Sequence, residues 1–172
     1  MMQRMSQPRR AFIFDMDGTI VDNMAFHTQS WVTFFERRGR AIDADEFFRT
    51  TAGRQGKEII RSHMGEDLPD EEVAVLNIEK EAVYRELYAP HLKAVDGFED
   101  LVLEARSQGI ALAVGTAAPP ANVEFTLDGL DLRRHFETVV GATAVPRGKP
   151  HPALSLAAAH PCRPPPPTSP PL

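Results

Sequence analysis

Ala11-Phe12-Ile13-Phe14-Asp15-Met16-Asp17-Gly18-Thr19-Ile20 is the stretch that decides the fold: an apolar run, two aspartates spaced i, i+2, then Gly-Thr. The continuous apolar run over residues 10–15, β-branched and aromatic in character, predicts a buried strand. Ligands of open α/β sheets bind at the carboxyl ends of the strands. A strand that ends in acidic residues therefore offers them where a site is built. Asp15 taken alone could equally cap the following turn. Fold stability does not call for the whole Asp-x-Asp-Gly-Thr pattern.

Downstream of this strand the pattern is helical. Phe26, Trp31, Phe34 and Phe35 fall at helical spacing from Met24 to about Arg38, and Gly39 ends that helix. Asp43-Ala44-Asp45-Glu46 resembles a capping box before Phe47-Phe48. Lys57 to Met64 forms a short helix closed by Gly65. Pro69, at a first-turn position, and Asp70-Glu71-Glu72 open a longer one. It carries Val73, Leu76, Lys80, Val83 and Leu87 on one face to about Tyr88, and Pro90 stops it.

After Ala94 strands and helices alternate. Phe98–Gln108 reads as a helix stopped by Gly109, Ile110–Thr116 as a second buried strand, and Pro119-Pro120 open a helix to Gly129. Thr138–Gly141 is a third strand, with a short helix after Pro152. The layout predicts an α/β fold, a Rossmann-like parallel sheet with a helical insert after its first strand. The expected boundaries are a discontinuous core over 9–21 and 94–158, the insert over 22–93, and a Pro-rich, disordered tail over 159–172. Seven prolines among the last twelve residues leave polyproline II or disorder there.

Composition narrows the function classes. The 172 residues are 42% hydrophobic and 25% charged, with a formal charge of −5, ordinary for a soluble domain of this size. Lys and Arg are scattered, and Arg9-Arg10 and Arg37-Arg38 are isolated pairs, so no nucleic-acid partner is expected. No run approaches a membrane span and no signal peptide opens the chain, so no membrane partner and a cytoplasmic location are expected. The single cysteine, Cys162, excludes an intramolecular disulfide. A monomer is expected.

The paired carboxylates suggest a chemistry. One carboxylate can attack phosphorus to form an acyl phosphate. A second, two residues on, can protonate the leaving oxygen and later take a proton from the incoming nucleophile. Such transfer gains mostly from positioning and charge stabilisation, so Mg²⁺ and a cation are expected nearby. Thr116, ending the second strand, offers its hydroxyl and the amides of a following helix start to phosphate oxygens; an N-cap role is equally compatible with its position. Lys149, in Gly148-Lys149-Pro150-His151-Pro152, is a lone cation between a glycine and a proline.

In this order the elements resemble the haloacid dehalogenase superfamily, in its phosphatase and β-phosphoglucomutase-like branch. Asp15-Met16-Asp17-Gly18-Thr19 is similar to the first motif, Thr116 to the second and Gly148-Lys149-Pro150 to the third. The resemblance covers about residues 10–158. It implies Asp15 as nucleophile and metal ligand, and Asp17 as general acid/base and a magnesium ligand through its backbone carbonyl. Thr116 and Lys149 would hold the phosphoryl group of a small phosphorylated metabolite. The insert resembles the cap domain that closes over substrate. His27, in Asp22-Asn23-Met24-Ala25-Phe26-His27, resembles a histidine near the site in sugar-phosphate mutases of this branch. Arg54, after Gly53, and Lys80 fall where cap residues of similar proteins contact substrate. A solvated Lys80 and an Arg54 paired with an acid are the structural alternatives.

One family element is not seen. The fourth motif supplies acidic residues after a further strand, whereas the last acid here is Glu137, and Ala153 stands where relatives often carry one. With few carboxylate ligands Mg²⁺ affinity should fall. Two further strands would also be expected, so the sheet should be incomplete, with its third strand an exposed edge or apolar surface uncovered. A C-terminally truncated or frame-shifted chain is the simplest expectation. The reading is a phosphoric monoester hydrolase. A sugar-phosphate mutase, a catalytically inactive remnant, or an adaptor acting through its proline tail are its rivals.

Overall fold

The computed structural model describes residues 10–51, 54–145 and 151–160. In chain order its elements are β1 (Ala11–Phe14), α1 (Met24–Glu36), α2 (Ala44–Thr51), α3 (Gly56–Met64) and α4 (Asp70–Tyr88), then α5 (Phe98–Ser107), β2 (Ala111–Gly115), α6 (Pro120–Val123), β3 (Thr138–Val140) and α7 (Ala153–Ala159). They fall into two compact units, Met1–Asp22 with Lys93–Leu172, and Asn23–Leu92.

The first unit is α/β. Its strands are parallel in the order β1-β2-β3, with Phe14 beside Val114 and Val114 beside Val139. Every residue of the central β2 is buried, which is why it reads as an unbroken apolar run. Ala111 and Ala113 pack with Val140, Leu154 and Ala158, so α7 covers one face. A Cβ on Gly115 would stand 3.5 Å from Leu154 and 3.6 Å from Ala158, contacts that record how closely α7 crosses the sheet. Phe14 meets Phe98 of α5 edge-on at 5.2 Å and Phe136 at 6.3 Å.

Strand β1 departs from the expectation of burial. Ala11, Phe12 and Ile13 are exposed, the last two at 40% and 39%, and only Phe14 is partly covered. Among the described residues β1 has a strand neighbour on one side only. The uncovered apolar surface expected at an incomplete sheet is therefore on β1, whereas Val140 of β3, at the opposite edge, is buried.

The second unit is all helical. Trp31, Phe34 and Phe35 from α1 meet Phe47, Ile59, Ile60 and Val73 from the other three helices in one core. Val73, Lys80 and Val83, part of the expected inward face of α4, are buried together with Tyr84 and Tyr88. Local signals needed adjustment. The Asp43 carboxylate accepts the Glu46 N–H at 2.8 Å, as a cap should, but the reciprocal capping box is made by Gln55 and Glu58 at the start of α3. Pro69 is extended at ψ 145° and caps α4 from outside its first turn. Pro90 lies inside a 3₁₀ turn, Ala89–His91, that continues the helix end. The helix expected from Pro119 to Gly129 is four residues of α6 followed by a π turn, Glu124–Asp128. No helix of the described residues is long and apolar enough to cross a membrane. The tail residues 161–172 and Gly148-Lys149-Pro150 lie outside the described residues.

Candidate active site

The first unit sets Asp15 and Asp17 directly after β1. The turn that follows is anchored by Met16, Ile20 and Val21, all fully buried. The Ile20 N–H donates to the Met16 carbonyl at 2.9 Å, and the Gly18 N–H to the Val21 carbonyl at 2.9 Å. Gly18 has φ 71°, a left-handed conformation that a side chain would resist, so the Gly of Asp-x-Asp-Gly-Thr has a backbone reason. With the apolar residues of the turn inward, Asp15 and Asp17 stay partly accessible. Asp15 Oδ1 also accepts the Met16 N–H at 2.8 Å, which restrains the carboxylate at the strand end.

Thr116 follows β2 on the neighbouring strand. Because Phe14 pairs with Val114, the chain leaves β1 at Asp15 level with Gly115, one residue short of Thr116. Thr116 is fully buried, and its N–H donates to the Val140 carbonyl at 2.9 Å, tying the loop to the end of β3. Its Oγ1 accepts the Ala118 N–H at 3.0 Å. This closes a local turn before the helix, whose own N-cap is Pro119, so Thr116 is not the N-cap, and its hydroxyl still has a proton to donate. The helix start expected to add phosphate-binding amides is only the four-residue α6, too short for much of a macrodipole. Asp15, Asp17 and Thr116 thus come together at the carboxyl ends of adjacent strands. Lys149 lies outside the described residues.

Two further candidates meet within the helical unit. Lys80 is buried, 2% exposed, which overturns the solvated alternative. Its Nζ donates to Glu81 Oε1 at 2.9 Å, reaches His27 Nδ1 at 3.4 Å, and lies 4.8 Å from the Trp31 ring centroid. His27 is stacked on Tyr84, and Asn23 Nδ2 donates to the Tyr84 hydroxyl at 2.6 Å. Glu81 and Tyr84 were not anticipated from the sequence, although Tyr84 stands four residues after Lys80, on the same helix face. Arg54 is exposed and, among the described residues, donates to the Glu58 carbonyl at 3.1 Å rather than pairing with an acid.

Among the described residues no group of three or more His, Cys, Asp and Glu stands ready to hold a metal. The donors at the β1 end are two aspartates, hard oxygen ligands. That set suits Mg²⁺, which commonly takes one or two carboxylates and keeps several waters.

A model of the haloacid dehalogenase-like hydrolases matches residues 9–167, nearly the whole chain. The chain belongs to this family. A relative within the family's reach is validoxylamine A 7'-phosphate phosphatase from Streptomyces hygroscopicus subsp. limoneus, 29% identical over 81% of the chain and 65% of the relative. Among solved structures, a HAD hydrolase, family IA, variant 3, from Entamoeba histolytica superposes with TM-score 0.81 at 26% identity, covering 88% of the chain and 70% of its own. The β-phosphoglucomutase of Clostridium difficile superposes with TM-score 0.74 at 25% identity, covering 90% and 71%. The family's phosphatase and phosphoglucomutase-like branch is therefore the right one. The chain spans just under two thirds of the length of two curated relatives it matches, 64% and 65%.

Proposed function

We propose that the chain carries the phosphoryl-transfer site of a hydrolase acting on a small phosphate monoester, with a sugar phosphate as the substrate class. The observation that supports this best is the meeting of Asp15, Asp17 and Thr116 at the carboxyl ends of adjacent parallel strands. In this reading an Asp15 oxygen attacks phosphorus and the P–O ester bond breaks, while Asp17 gives its proton to the departing alkoxide. Water then attacks the aspartyl phosphate, Asp17 takes a proton from it, and inorganic phosphate leaves with Asp15 restored. The Thr116 hydroxyl and Lys149 would hold the phosphoryl oxygens through both steps.

The Asp15 carboxylate and the Asp17 backbone carbonyl would hold Mg²⁺, whose charge would offset that developing on the phosphoryl oxygens. Binding through these two residues alone is expected to be weak, since Mg²⁺ seeks six oxygen ligands. The helical unit would act as the cap that excludes water during transfer. A mutase reading needs cap cations for a second phosphate. Lys80 is paired with Glu81, whereas the exposed Arg54 could serve such a phosphate, so the mutase reading keeps one candidate cation.

Release of p-nitrophenol from p-nitrophenyl phosphate, with and without Mg²⁺, tests the reading against Asp15→Asn. Turnover that Asp15→Asn abolishes supports it, with Asp17→Asn expected to cost about 10²- to 10⁴-fold. Equal rates for wild type and Asp15→Asn overturn it and leave the inactive alternative.

A further inference from the structure

We propose that Lys80 is a positioning residue that fixes the tautomer of His27, so that the neutral ring carries its proton on Nε2. Lys80 is buried, and burying an ammonium without partners is costly. Glu81 Oε1 at 2.9 Å and the face of Trp31 at 4.8 Å compensate its charge, so it remains a three-donor, no-acceptor group. Its contact with His27 Nδ1 at 3.4 Å can then run one way only: Lys80 donates and Nδ1 accepts. A ring whose Nδ1 lone pair accepts a hydrogen bond must place its own proton on Nε2.

Two contacts keep the ring where this holds. Tyr84 lies parallel to His27, with centroids 3.9 Å apart and planes 5° apart, so the imidazole is held in one plane. Ser30 Oγ donates to the His27 carbonyl at 2.7 Å and restrains the backbone on the same turn of α1. Flipping the ring would bring a carbon toward the ammonium and give up the hydrogen bond. His27 is thereby made an Nε2–H donor. As far as this bears on substrate, it rests on the phosphoryl-transfer reading: a fixed N–H donor suits a phosphate or sugar oxygen, which only accepts or readily accepts hydrogen bonds. The role of Lys80 is to act through His27 rather than to clamp phosphate itself.

The experiment is ¹⁵N–¹H long-range correlation spectroscopy on the full chain with ¹⁵N-labelled histidine, at a pH above the imidazole range. His27→Gln identifies the ring by the peaks it removes. The expected result is an unprotonated, pyridine-like Nδ1 and a protonated, pyrrole-like Nε2. In Lys80→Met both nitrogens should move toward the averaged position of mixed tautomers, and Lys80→Arg, which keeps a donor, should restore the separation. A protonated Nδ1 in the wild type overturns the proposal. So does an unchanged pair of shifts in a Lys80→Met protein that retains its amide spectrum. If Lys80→Met does not fold, the wild type and Lys80→Arg decide: a pyridine-like Nδ1 in both supports the proposal, and a protonated Nδ1 in either overturns it. None of these readouts depends on turnover, so an inactive enzyme with the expected tautomer would sink the phosphatase reading and leave this one standing.

Discussion

The imidazole of His27 lies flat on the ring of Tyr84, centroids 3.9 Å apart, while the hydroxyl of that same tyrosine accepts a hydrogen bond from Asn23 at 2.6 Å. One fully buried side chain thus braces both the first residue of the helical unit and a candidate site histidine on α1. Tyr84→Phe keeps the stack and removes the acceptor. A buried amide that loses such a partner costs about 1–3 kcal/mol. Urea unfolding should show a loss in that range, whereas Tyr84→Ala should cost more because it also opens a cavity. A Tyr84→Phe protein as stable as wild type would show that the Asn23 bond contributes nothing.

Helices α3 and α4 approach closely at Gly56. A Cβ built there would stand 2.3 Å from Asn77 Oδ1, well inside contact, and 3.6 Å from Trp31. Gly→Ala at a helical position ordinarily gains about 1 kcal/mol in propensity. Here the overlap should outweigh it, since overpacking costs roughly 1–3 kcal/mol. Gly56→Ala should therefore destabilise the protein, and Asn77→Ala added to it should recover most of the loss. The thermal midpoints of the two single variants and the double variant check this. Additive effects would mean that the two positions do not compete for the same space.

What could be read from the chain and what could not divide along physical lines. The strands, their order of appearance and the helical insert follow from periodicity, and the placing of Asp15, Asp17 and Thr116 at strand ends needed only that. Burial of β1 could not be read locally, because an apolar run says that a strand wants to be covered, not which neighbours are there to cover it. Lys80 is the converse case. A lysine at a helical position is usually solvated, and its burial here depends on Trp31, nearly fifty residues earlier, and on a carboxylate one residue away. The capping box at Gln55 was missed for a simpler reason: glutamine ranks below Ser, Thr, Asp and Asn as an N-cap. The role of Arg54 was open in the sequence, and its hydrogen bond to a main-chain carbonyl is a third option that spacing could not supply.

The exposed edge of β1 has a consequence for handling. Phe12 and Ile13 present apolar side chains at 40% and 39% exposure on a strand paired along one side only, among the described residues. Such an edge is a template for pairing with other chains, and natural proteins blunt it with lysine. Ile13→Lys should therefore lower concentration-dependent light scattering. The stability cost should be small, since the substituted side chain already reaches solvent. If Ile13→Lys scatters as much as wild type at the same concentration, association runs through another surface.

A pH effect is expected from the other end of the sheet. His135, just before β3, is held below its ordinary value of 6.5, first by burial and then by the positive charges of Arg134 and Arg106. Arg106 donates to the carbonyls of Arg134 and His135 at 3.2 and 3.1 Å, which keeps its charge close by. A histidine depressed in the folded state binds fewer protons there than in the unfolded chain, just below pH 6.5. Stability is then fully present above the unfolded value and declines as pH falls from about 6.5 through the lower folded value. His135→Gln removes the titrating group, so its stability should fall less than that of wild type across that interval, while the two curves run parallel above it. Urea midpoints measured from neutral to mildly acid pH decide the matter. Parallel curves throughout would show that burial and the neighbouring arginines do not hold the His135 proton off.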